Sequence, residues 1–385
     1  MTPVSFDTML RKSLVFSNNP TEDEHAEWQA PIPGGYWSLF GIFDGHSGWE
    51  TSAWLRDNLL VAVTGRLADL YNRIKEAQSP SAEPTSVDIE ATFKDTFKEV
   101  DDHIVYTALN LAMSAASKYE ATNILAPAYA GSCALVSFYD SITRRLFVAL
   151  TGDSRAVLGR RVSDGEGKTL RYDVYELSVD QNAQNAAEEA RLHAQHPGEV
   201  VVKDGRVLGW GVARAFGDAR MKWTVDTQRY LKTTLLGRSV SPKLKTPPYF
   251  TAEPEVTCIE IQPGDFLIMA SDGLWESLTN EEAVGLTGWW LQSRGQTAEM
   301  PIPGIVSPPE LPVNFPEEYQ DKTSRYRQWN VQKHFVNTDS NASTHLIRNA
   351  LGGADEDLLA ALLTMRSSRS RNFRDDITAT VVFFD

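Results

Sequence analysis

Residues 36–48 read YWSLFGIFDGHSG, so that an aromatic and β-branched run ends abruptly in a loop rich in glycine. This composition predicts a strand over 36–43, with Asp44 as the first residue after it. Residues 49–74 then carry apolar side chains at the spacing of one helix face. We therefore expect the carboxylate of Asp44 at the rim of a sheet, between a buried strand and a helix.

Three further aspartates have a similar setting. Asp272 follows an apolar run, and Asp375 shortly precedes another one. Asp153 separates two predicted strands. Carboxylates that meet at one rim repel each other unless a cation neutralises them, and oxygen ligands suit Mg²⁺ or Mn²⁺. With 7 histidines and 2 cysteines in the chain, a zinc site is disfavoured.

Asp-Gly dipeptides are also ordinary turn residues. The residues alone therefore leave two interpretations open, a metal-dependent hydrolase and a set of unrelated turns. The agreement between the flanking sequences of these aspartates favours the first of the two.

Three predicted strands follow one another closely in the middle of the chain. They extend over 133–138, 146–151 and 155–160, and the connections between them are short. Short connections favour antiparallel pairing over strand–helix–strand units. The sequence therefore predicts an α+β protein with mainly antiparallel sheets.

Composition narrows the class of protein. The formal net charge of −14 at pH 7 disfavours nucleic acid as a partner, and it disfavours an anionic membrane surface. No run approaches the ~18 consecutive apolar residues of a membrane-spanning helix. Cys133 and Cys258 are too few for a disulfide framework, which indicates a reducing compartment. Residues 1–14 lack presequence features, so we expect a cytosolic protein or one whose targeting segment is absent from this chain.

One segment differs from the rest in its proline content. Prolines stand at positions 301, 303, 308, 309, 312 and 316. Proline at this density is incompatible with a helix or an interior strand. Because helix and strand patterns resume after it, we expect a surface insertion over about 293–340.

Six blocks of the sequence resemble, in order, those of the metal-dependent type 2C protein serine/threonine phosphatases. The blocks are FDGHSG at 43–48, GSCA at 131–134, TGDSRA at 151–156, RAFGD at 214–218, ASDGLW at 270–275 and RDDIT at 374–378. The resemblance extends over essentially the whole chain. It implies one catalytic domain over 1–385, with a flap at about 181–218 beside the metal cleft. The implied fold is a four-layer α/β/β/α sandwich of two mainly antiparallel sheets flanked by helices, with a site for two metal ions at one rim.

The resemblance also assigns roles to residues around two Mg²⁺ or Mn²⁺ ions. It implies that the metal ligands are Asp44 as the bridge, Gly45 through its carbonyl, Asp272, Asp375, and the acidic pair Glu22 and Asp23 near the second ion. Asp153 matches a position linked to a weaker third metal. His46 matches the general acid for the leaving serine or threonine oxygen, while metal-activated water attacks phosphorus.

Two positions depart from the family pattern. Many relatives carry an arginine that holds the phosphate where this chain has Asn18, so we expect a different or weaker substrate contact there. Glu276 stands where many relatives have an aspartate near the third metal, which puts that third site in question.

Within the family, the blocks NNPTED at 18–23 and PPYFTAEP at 247–254 are most like the pyruvate dehydrogenase phosphatase branch. That branch implies a phosphoserine substrate on pyruvate dehydrogenase, docking on the lipoyl domain of that complex, and the mitochondrial matrix. One alternative is a cytoplasmic type 2C phosphatase that acts on other phosphoproteins. Another is a regulatory module that kept the fold without catalysis, although the core carboxylates are all present.

Overall fold

The computed structural model describes residues 9–77, 79, 82–163, 170–295 and 304–385. Residues 296–303, which belong to the expected insertion and include Pro301 and Pro303, lie outside this part of the chain, as do residues 1–8 of the expected domain.

Seventeen strands are present in the described residues. They are β1 Met9–Val15, β2 Glu24–Ile32, β3 Gly35–Phe43, β4 Gly45–His46, β5 Gly131–Ser132, β6 Ala134–Asp140, β7 Arg145–Thr151, β8 Arg155–Ser163, β9 Leu170–Glu176, β10 Val202–Lys203, β11 Arg206–Val207, β12 Phe216–Gly217, β13 Glu255–Glu260, β14 Phe266–Ala270, β15 Ile305–Val306, β16 Phe335–Val336 and β17 Ile377–Phe383.

Eleven α-helices are present in the same residues. They are α1 Glu50–Ala77, α2 Ser86–Asp102, α3 Ala108–Met113, α4 Lys118–Tyr129, α5 Ala186–Gln195, α6 Val225–Thr234, α7 Asp272–Trp275, α8 Asn280–Gly295, α9 Arg325–Trp329, α10 Ala342–Ala350 and α11 Glu356–Thr364. A π-helical turn, His103–Thr107, joins α2 to α3.

Two five-stranded sheets form the centre of the molecule. Sheet I has the strand order β13-β7-β6-β3-β2, and sheet II has the order β1-β17-β14-β8-β9. Every neighbouring pair in both sheets is antiparallel. The short β6–β7 connection leaves no room for a crossover helix, which explains the antiparallel pairing of these two strands. β8 does not pair with β7, although the connection between them is also short, because that turn leads the chain from sheet I into sheet II, where β8 pairs with β14 and β9.

The side chains of β3 show how the layers are built. Leu39 and Phe43 belong to the apolar cluster beneath α1, α2 and α4, whereas Phe40 and Ile42 belong to the cluster between the two sheets. This alternation follows from the two-residue period of a strand. Both faces of β3 are buried, which accounts for its almost continuous apolar sequence.

Sheet II repeats the arrangement on the other side. On β14, Ile268 packs against the cluster formed with α8, α10 and α11, whereas Leu267 and Met269 face sheet I. The predicted α/β/β/α sandwich is therefore confirmed. No helix in the described parts of the chain combines the length and the apolar character required to span a bilayer.

Two segments flank these layers. Residues 181–218 contain α5 and the β10–β11 hairpin, which enclose their own apolar cluster around Leu192 and Val207. The described part of the proline-rich segment forms the two-residue pair β15–β16, short turns and the five-residue helix α9. A buried ion pair, Lys333 Nζ to Glu282 Oε2 at 2.7 Å, attaches this segment to α8.

Candidate active site

Three of the predicted metal ligands converge at one rim of the sandwich. Asp44 follows β3, Asp153 lies in the β7–β8 turn, and Asp272 is the first residue of α7. One carboxylate oxygen from each of the three lies within 4.8 Å of the others. Residues from three distant parts of the chain meet because the strands that precede or follow them end at the same rim.

Burial and mutual repulsion perturb these carboxylates strongly. Burial raises the pKa of Asp44 well above its usual value, and the charges of Asp272, Asp23, Asp153 and Asp375 raise it further. Burial likewise raises the pKa of Asp272 well above its usual value, and that of Asp153 to about 6. When no cation is bound, the ionised forms of the three carboxylates therefore repel one another. A divalent cation would relieve that repulsion.

The acidic pair lies next to this cluster. Asp23 is fully buried, and its Oδ2 accepts hydrogen bonds from Ser271 Oγ at 2.8 Å and Thr378 Oγ1 at 2.7 Å. Burial raises the pKa of Asp23 to about 7. Glu22 accepts a hydrogen bond from the amide of Gly48 at 2.7 Å, which fixes its carboxylate beside the loop that follows Asp44.

Gly45 permits the close approach of this loop to the acidic pair. A Cβ at position 45 would lie 2.2 Å from the carbonyl oxygen of Glu22. Any larger residue would therefore separate Glu22 from the cluster.

Asp375 and Asp376 approach from the chain just before β17. Asp375 forms an ion pair with Arg371, and burial raises its pKa. Asp376 accepts hydrogen bonds from the amide groups of Asn18 and Glu22 at 2.9 and 3.0 Å. Burial opposes ionisation of Asp376, but these bonds outweigh it and lower the pKa. Asp376 therefore anchors the 17–22 segment to the site.

The side chain of Asn18 is held entirely by carboxylates. Its Nδ2 donates to Glu22 Oε2 and to Asp376 Oδ2, both at 2.9 Å. The amide that was predicted to contact substrate thus has both of its hydrogens engaged within the protein.

Three short strands bring His46 to a partner that the sequence did not reveal. β5 lies between β4 and β12, so that His46 and Gly217 both stand opposite Gly131. Asp218, the residue after β12, is thereby carried to His46, and its Oδ2 lies 2.6 Å from Nε2 of the imidazole. Asp218 was not among the predicted site residues. The available signal was its position at the end of the RAFGD block.

The environment of His46 favours a charged imidazole. Burial lowers the pKa of His46, but the negative charge and the hydrogen bond of Asp218 outweigh burial and raise it above the usual value. The Asp218 side chain is 1 % exposed and that of His46 is 22 % exposed. The pair is therefore screened little by water, while the imidazole still reaches the cleft.

A buried ion pair fixes the loop that carries Asp218. Lys222 Nζ lies 2.7 and 2.6 Å from the two carboxylate oxygens of Asp101, and Asp101 also accepts the amide of Gly217 at 2.9 Å. Because both charges are buried and paired, the loop between Gly217 and Lys222 is held against α2.

The proline-rich segment also contributes to the site. Arg325 on α9 pairs with Glu276 at 2.5 Å, and the amides of Ser324 and Arg325 donate to the carbonyl of Glu276. Glu276 follows Asp272 by one helical turn, so this contact places the segment beside the carboxylate cluster. The unusual residue at position 276 was the only indication of this contact in the sequence.

Comparison with known proteins gives a consistent result. A family model described as protein phosphatase 2C matches residues 17–302. A protein phosphatase 2C homolog of Schizosaccharomyces pombe is 40 % identical over 381 residues, which cover 96 % of this chain and 79 % of that protein. The mitochondrial pyruvate dehydrogenase (acetyl-transferring) phosphatase 1 of Saccharomyces cerevisiae is 35 % identical over 392 residues, 96 % of this chain and 67 % of that protein.

More distant relatives extend the comparison. The human mitochondrial pyruvate dehydrogenase phosphatase 1 is 33 % identical over 323 residues, which cover 79 % of this chain and 56 % of the human protein. The crystal structure of a serine-threonine phosphatase 2C from Toxoplasma gondii aligns with a TM-score of 0.54 at 17 % identity, over 100 % of this chain and 97 % of that chain. The structural match shows the shared fold, and the sequence matches show that this chain belongs to the protein phosphatase 2C family of protein serine/threonine phosphatases.

Proposed function

We propose that this protein hydrolyses phosphoserine on pyruvate dehydrogenase in the mitochondrial matrix and so activates that enzyme. The observation that carries the proposal is the match to the yeast pyruvate dehydrogenase phosphatase over 96 % of this chain. The proposed partner is the pyruvate dehydrogenase complex, with its lipoyl domain as a docking site.

The carboxylate cluster fits the divalent cations on which the family depends. Its donors are all oxygens, the three carboxylates of Asp44, Asp153 and Asp272 are half-buried, and one oxygen from each lies within 4.8 Å of the others. Mg²⁺ and Mn²⁺ prefer this donor set. We assign the metal-holding role to Asp44, Asp272 and Asp375, with the carbonyl of Gly45, and we place Glu22, Asp23 and Asp153 around them.

Divalent cations, when bound, lower the pKa of water and stabilise the charge of a phosphoryl group. The chain itself supplies the proton for the leaving group. His46, kept protonated by the charge of Asp218, is the proposed donor to the serine oxygen. Asp218 holds the imidazole in one orientation and is a positioning residue.

We propose that two segments choose the substrate. Asp218, the last residue of the proposed flap 181–218, contacts His46. Arg325, in the proposed insertion over about 293–340, contacts Glu276 beside Asp272. We propose one catalytic domain in which these two segments border the cleft on either side of the carboxylates. Their sequences therefore decide which phosphoprotein fits.

The test compares substrates and metals directly. Purified protein with Mn²⁺ should dephosphorylate the pyruvate dehydrogenase α subunit, and EDTA should stop the reaction. Asp272→Asn should abolish activity, whereas Asp226→Asn, a matched change at an exposed position of α6, should not. Full activity of Asp272→Asn, or activity that persists in EDTA, would contradict the assignment of the metal site.

One observation favours a second candidate. The relative with 40 % identity carries only the general description of a protein phosphatase 2C homolog. A phosphatase for other phosphoproteins, in the cytoplasm, is therefore the alternative. A kcat/KM for phosphorylated pyruvate dehydrogenase no higher than that for an unrelated phosphopeptide would support the alternative, as would recovery of the native protein in the cytosolic fraction.

A further inference from the structure

Residues 366–374 contain four arginines, and the structure gives them different surroundings. Arg374 is buried and donates to the carbonyls of Leu362 and Phe16, so it fastens the segment to the body of the protein. Arg366 and Arg369 are exposed. Arg371 pairs with Asp375, and its charge also faces Glu22, Asp376 and Asp272. Of these four arginines, all in the described part of the chain, Arg371 is the one directed at the carboxylate rim.

The turn that carries Arg371 is fixed from both sides. The amide of Ser370 donates to the carbonyl of Arg366 at 3.1 Å, and its hydroxyl donates to the carbonyl of Ser17 at 2.5 Å. The neighbouring Asp376 holds the chain at Ser17 and Asn18. Arg371 is thus presented to the site from an anchored backbone.

Other guanidinium groups near the carboxylates have their donors engaged. Arg155 donates through Nε and Nη2 to Asp180 and through Nη1 to Asn280. Arg325 binds Glu276 through Nε and Nη2, and Gln328 through Nη1. Neither group can turn toward a substrate without giving up buried or half-buried contacts.

Arg371 differs from both in exposure and in bonding. Its side chain is 40 % exposed, and in the described residues its hydrogen-bond partner is Asp375, through Nη1. Nε and Nη2 of the guanidinium are therefore available to a ligand that enters the cleft. Asn18 cannot take this role, because both hydrogens of its amide already serve Glu22 and Asp376.

We propose that Arg371 is the side chain that binds the phosphoryl group of the substrate. The proposal rests on the metal-dependent phosphatase function argued above. A guanidinium binds two oxygens of a phosphate through parallel hydrogen bonds, which no other side chain does as well. Its present partner, Asp375, is a proposed metal ligand. A cation held there would neutralise the carboxylate and weaken its hold on Arg371, which frees the guanidinium for phosphate.

Binding of inorganic phosphate tests this role apart from turnover. We would titrate phosphate into the Mn²⁺-saturated protein by calorimetry, for wild type, Arg371→Ala, Arg371→Lys and the neighbouring control Arg369→Ala. Loss of charge-assisted hydrogen bonds should weaken phosphate binding about 10- to 100-fold in Arg371→Ala. The phosphate affinity of Arg371→Lys should lie between those of Arg371→Ala and wild type, because lysine keeps the charge but cannot form two parallel hydrogen bonds. Arg369→Ala should bind phosphate as wild type does.

Two results would overturn the proposal. One is a phosphate affinity of Arg371→Ala equal to that of Arg369→Ala. The other is an Arg371→Ala variant that differs from wild type only in the Mn²⁺ concentration needed for half-maximal thermal stabilisation and binds phosphate normally at saturating Mn²⁺. That result would show that Arg371 only neutralises the charge of the carboxylates. Failure of the proposed function is distinguishable from both, since the wild type itself would then not hydrolyse the phosphoprotein.

Discussion

Oδ2 of Asp218 lies 2.6 Å from Nε2 of His46, although 172 positions separate the two residues in the chain. The contact depends on three short strands, in which β5 lies between the strands that precede Asp218 and contain His46. It also depends on the buried Lys222–Asp101 ion pair that holds the loop after β12. The orientation of the proposed general acid is thus set in part by α2 and by the loop after β12, both far from His46 in the chain.

Asp218→Asn should lower kcat more than it changes KM. The amide lacks the charge that stabilises a protonated imidazole, while the substrate contacts remain in place. General acid catalysis contributes about 10²–10⁴-fold, so we expect a loss of about 10- to 100-fold in kcat for a variant that keeps His46 itself. Steady-state kinetics on a phosphopeptide of poor leaving group, compared with Asp226→Asn, measures the effect. A KM change larger than the kcat change would contradict a positioning role.

Gly131→Ala should have a similar effect by a steric route. A Cβ at position 131 would lie 2.2 Å from His46 Nε2 and 2.5 Å from Asp218 Oδ2, so the pair must separate. We expect kcat to fall by at least the factor seen for Asp218→Asn, without loss of Mn²⁺-induced thermal stabilisation, since the carboxylate cluster is not touched. Gly65→Ala is the matched control, because its added Cβ would meet no atom within 4 Å beyond the local backbone of its own helix. Normal kinetics for Gly131→Ala would show that the His46–Asp218 contact is dispensable.

The sequence was sufficient for elements that are buried on both faces. β3, β6, β7, β14 and β17 are near-continuous apolar runs because helices cover one face and the other sheet covers the second face. The aspartates that follow or precede these strands could be placed at a rim for the same reason. Strong local patterns therefore predicted Asp44, Asp153 and Asp272 at one rim, where the structure brings them together, whereas Asp375 is not part of this group of three.

The two edge strands of sheet I were not predicted, and the reason is physical. β2 and β13 lie at the two edges of sheet I. All residues of β13 are exposed or half-buried, and its sequence EVTCIE shows no apolar run. Their strand conformation comes from pairing with β3 and β7 rather than from their own composition. The His46–Asp218 and Arg325–Glu276 contacts were not predicted for a related reason. Each joins segments that are distant in the chain, and no local sequence pattern indicates such packing.

Removal of one carboxylate from the cluster should stabilise the metal-free protein. Burial and the charges of neighbouring aspartates raise the pKa of Asp44 well above its usual value, so its ionised form opposes folding when no cation is bound. Asp44→Asn should raise the free energy of unfolding in EDTA, because the amide has no charge to bury and does not repel the neighbouring aspartates. The same variant should lose the increase in melting temperature that Mn²⁺ gives the wild type.

Thermal unfolding of wild type, Asp44→Asn and Asp226→Asn, with EDTA and with Mn²⁺, separates the two effects. Asp226→Asn should behave as wild type in both conditions. An Asp44→Asn protein that is less stable than wild type in EDTA, or that responds fully to Mn²⁺, would contradict the electrostatic account of the cluster.

His345 should make the stability of the fold depend on pH far from the cleft. The imidazole is fully buried, with Nε2 at 3.2 Å from the carbonyl of Leu286 and Nδ1 at 3.3 Å from Nδ2 of Asn349. This arrangement suits the neutral ring, in which Nε2 donates and Nδ1 accepts. Burial accordingly lowers the pKa of His345 to about 4.

The sign follows from proton binding in the two states. Between about pH 6.5 and pH 4 the unfolded chain binds a proton at His345 and the folded protein does not, so the free energy of unfolding falls as pH falls. At pH 5 the contribution of His345 should lower the free energy of unfolding by about 2 kcal/mol relative to its value at pH 7 and above. Urea unfolding at both pH values gives the change in the free energy of unfolding for wild type and for His345→Gln. The difference between these two changes is the contribution of His345. The exposed His193→Gln should retain the wild-type dependence, and a His345→Gln dependence equal to that of wild type would refute the assignment.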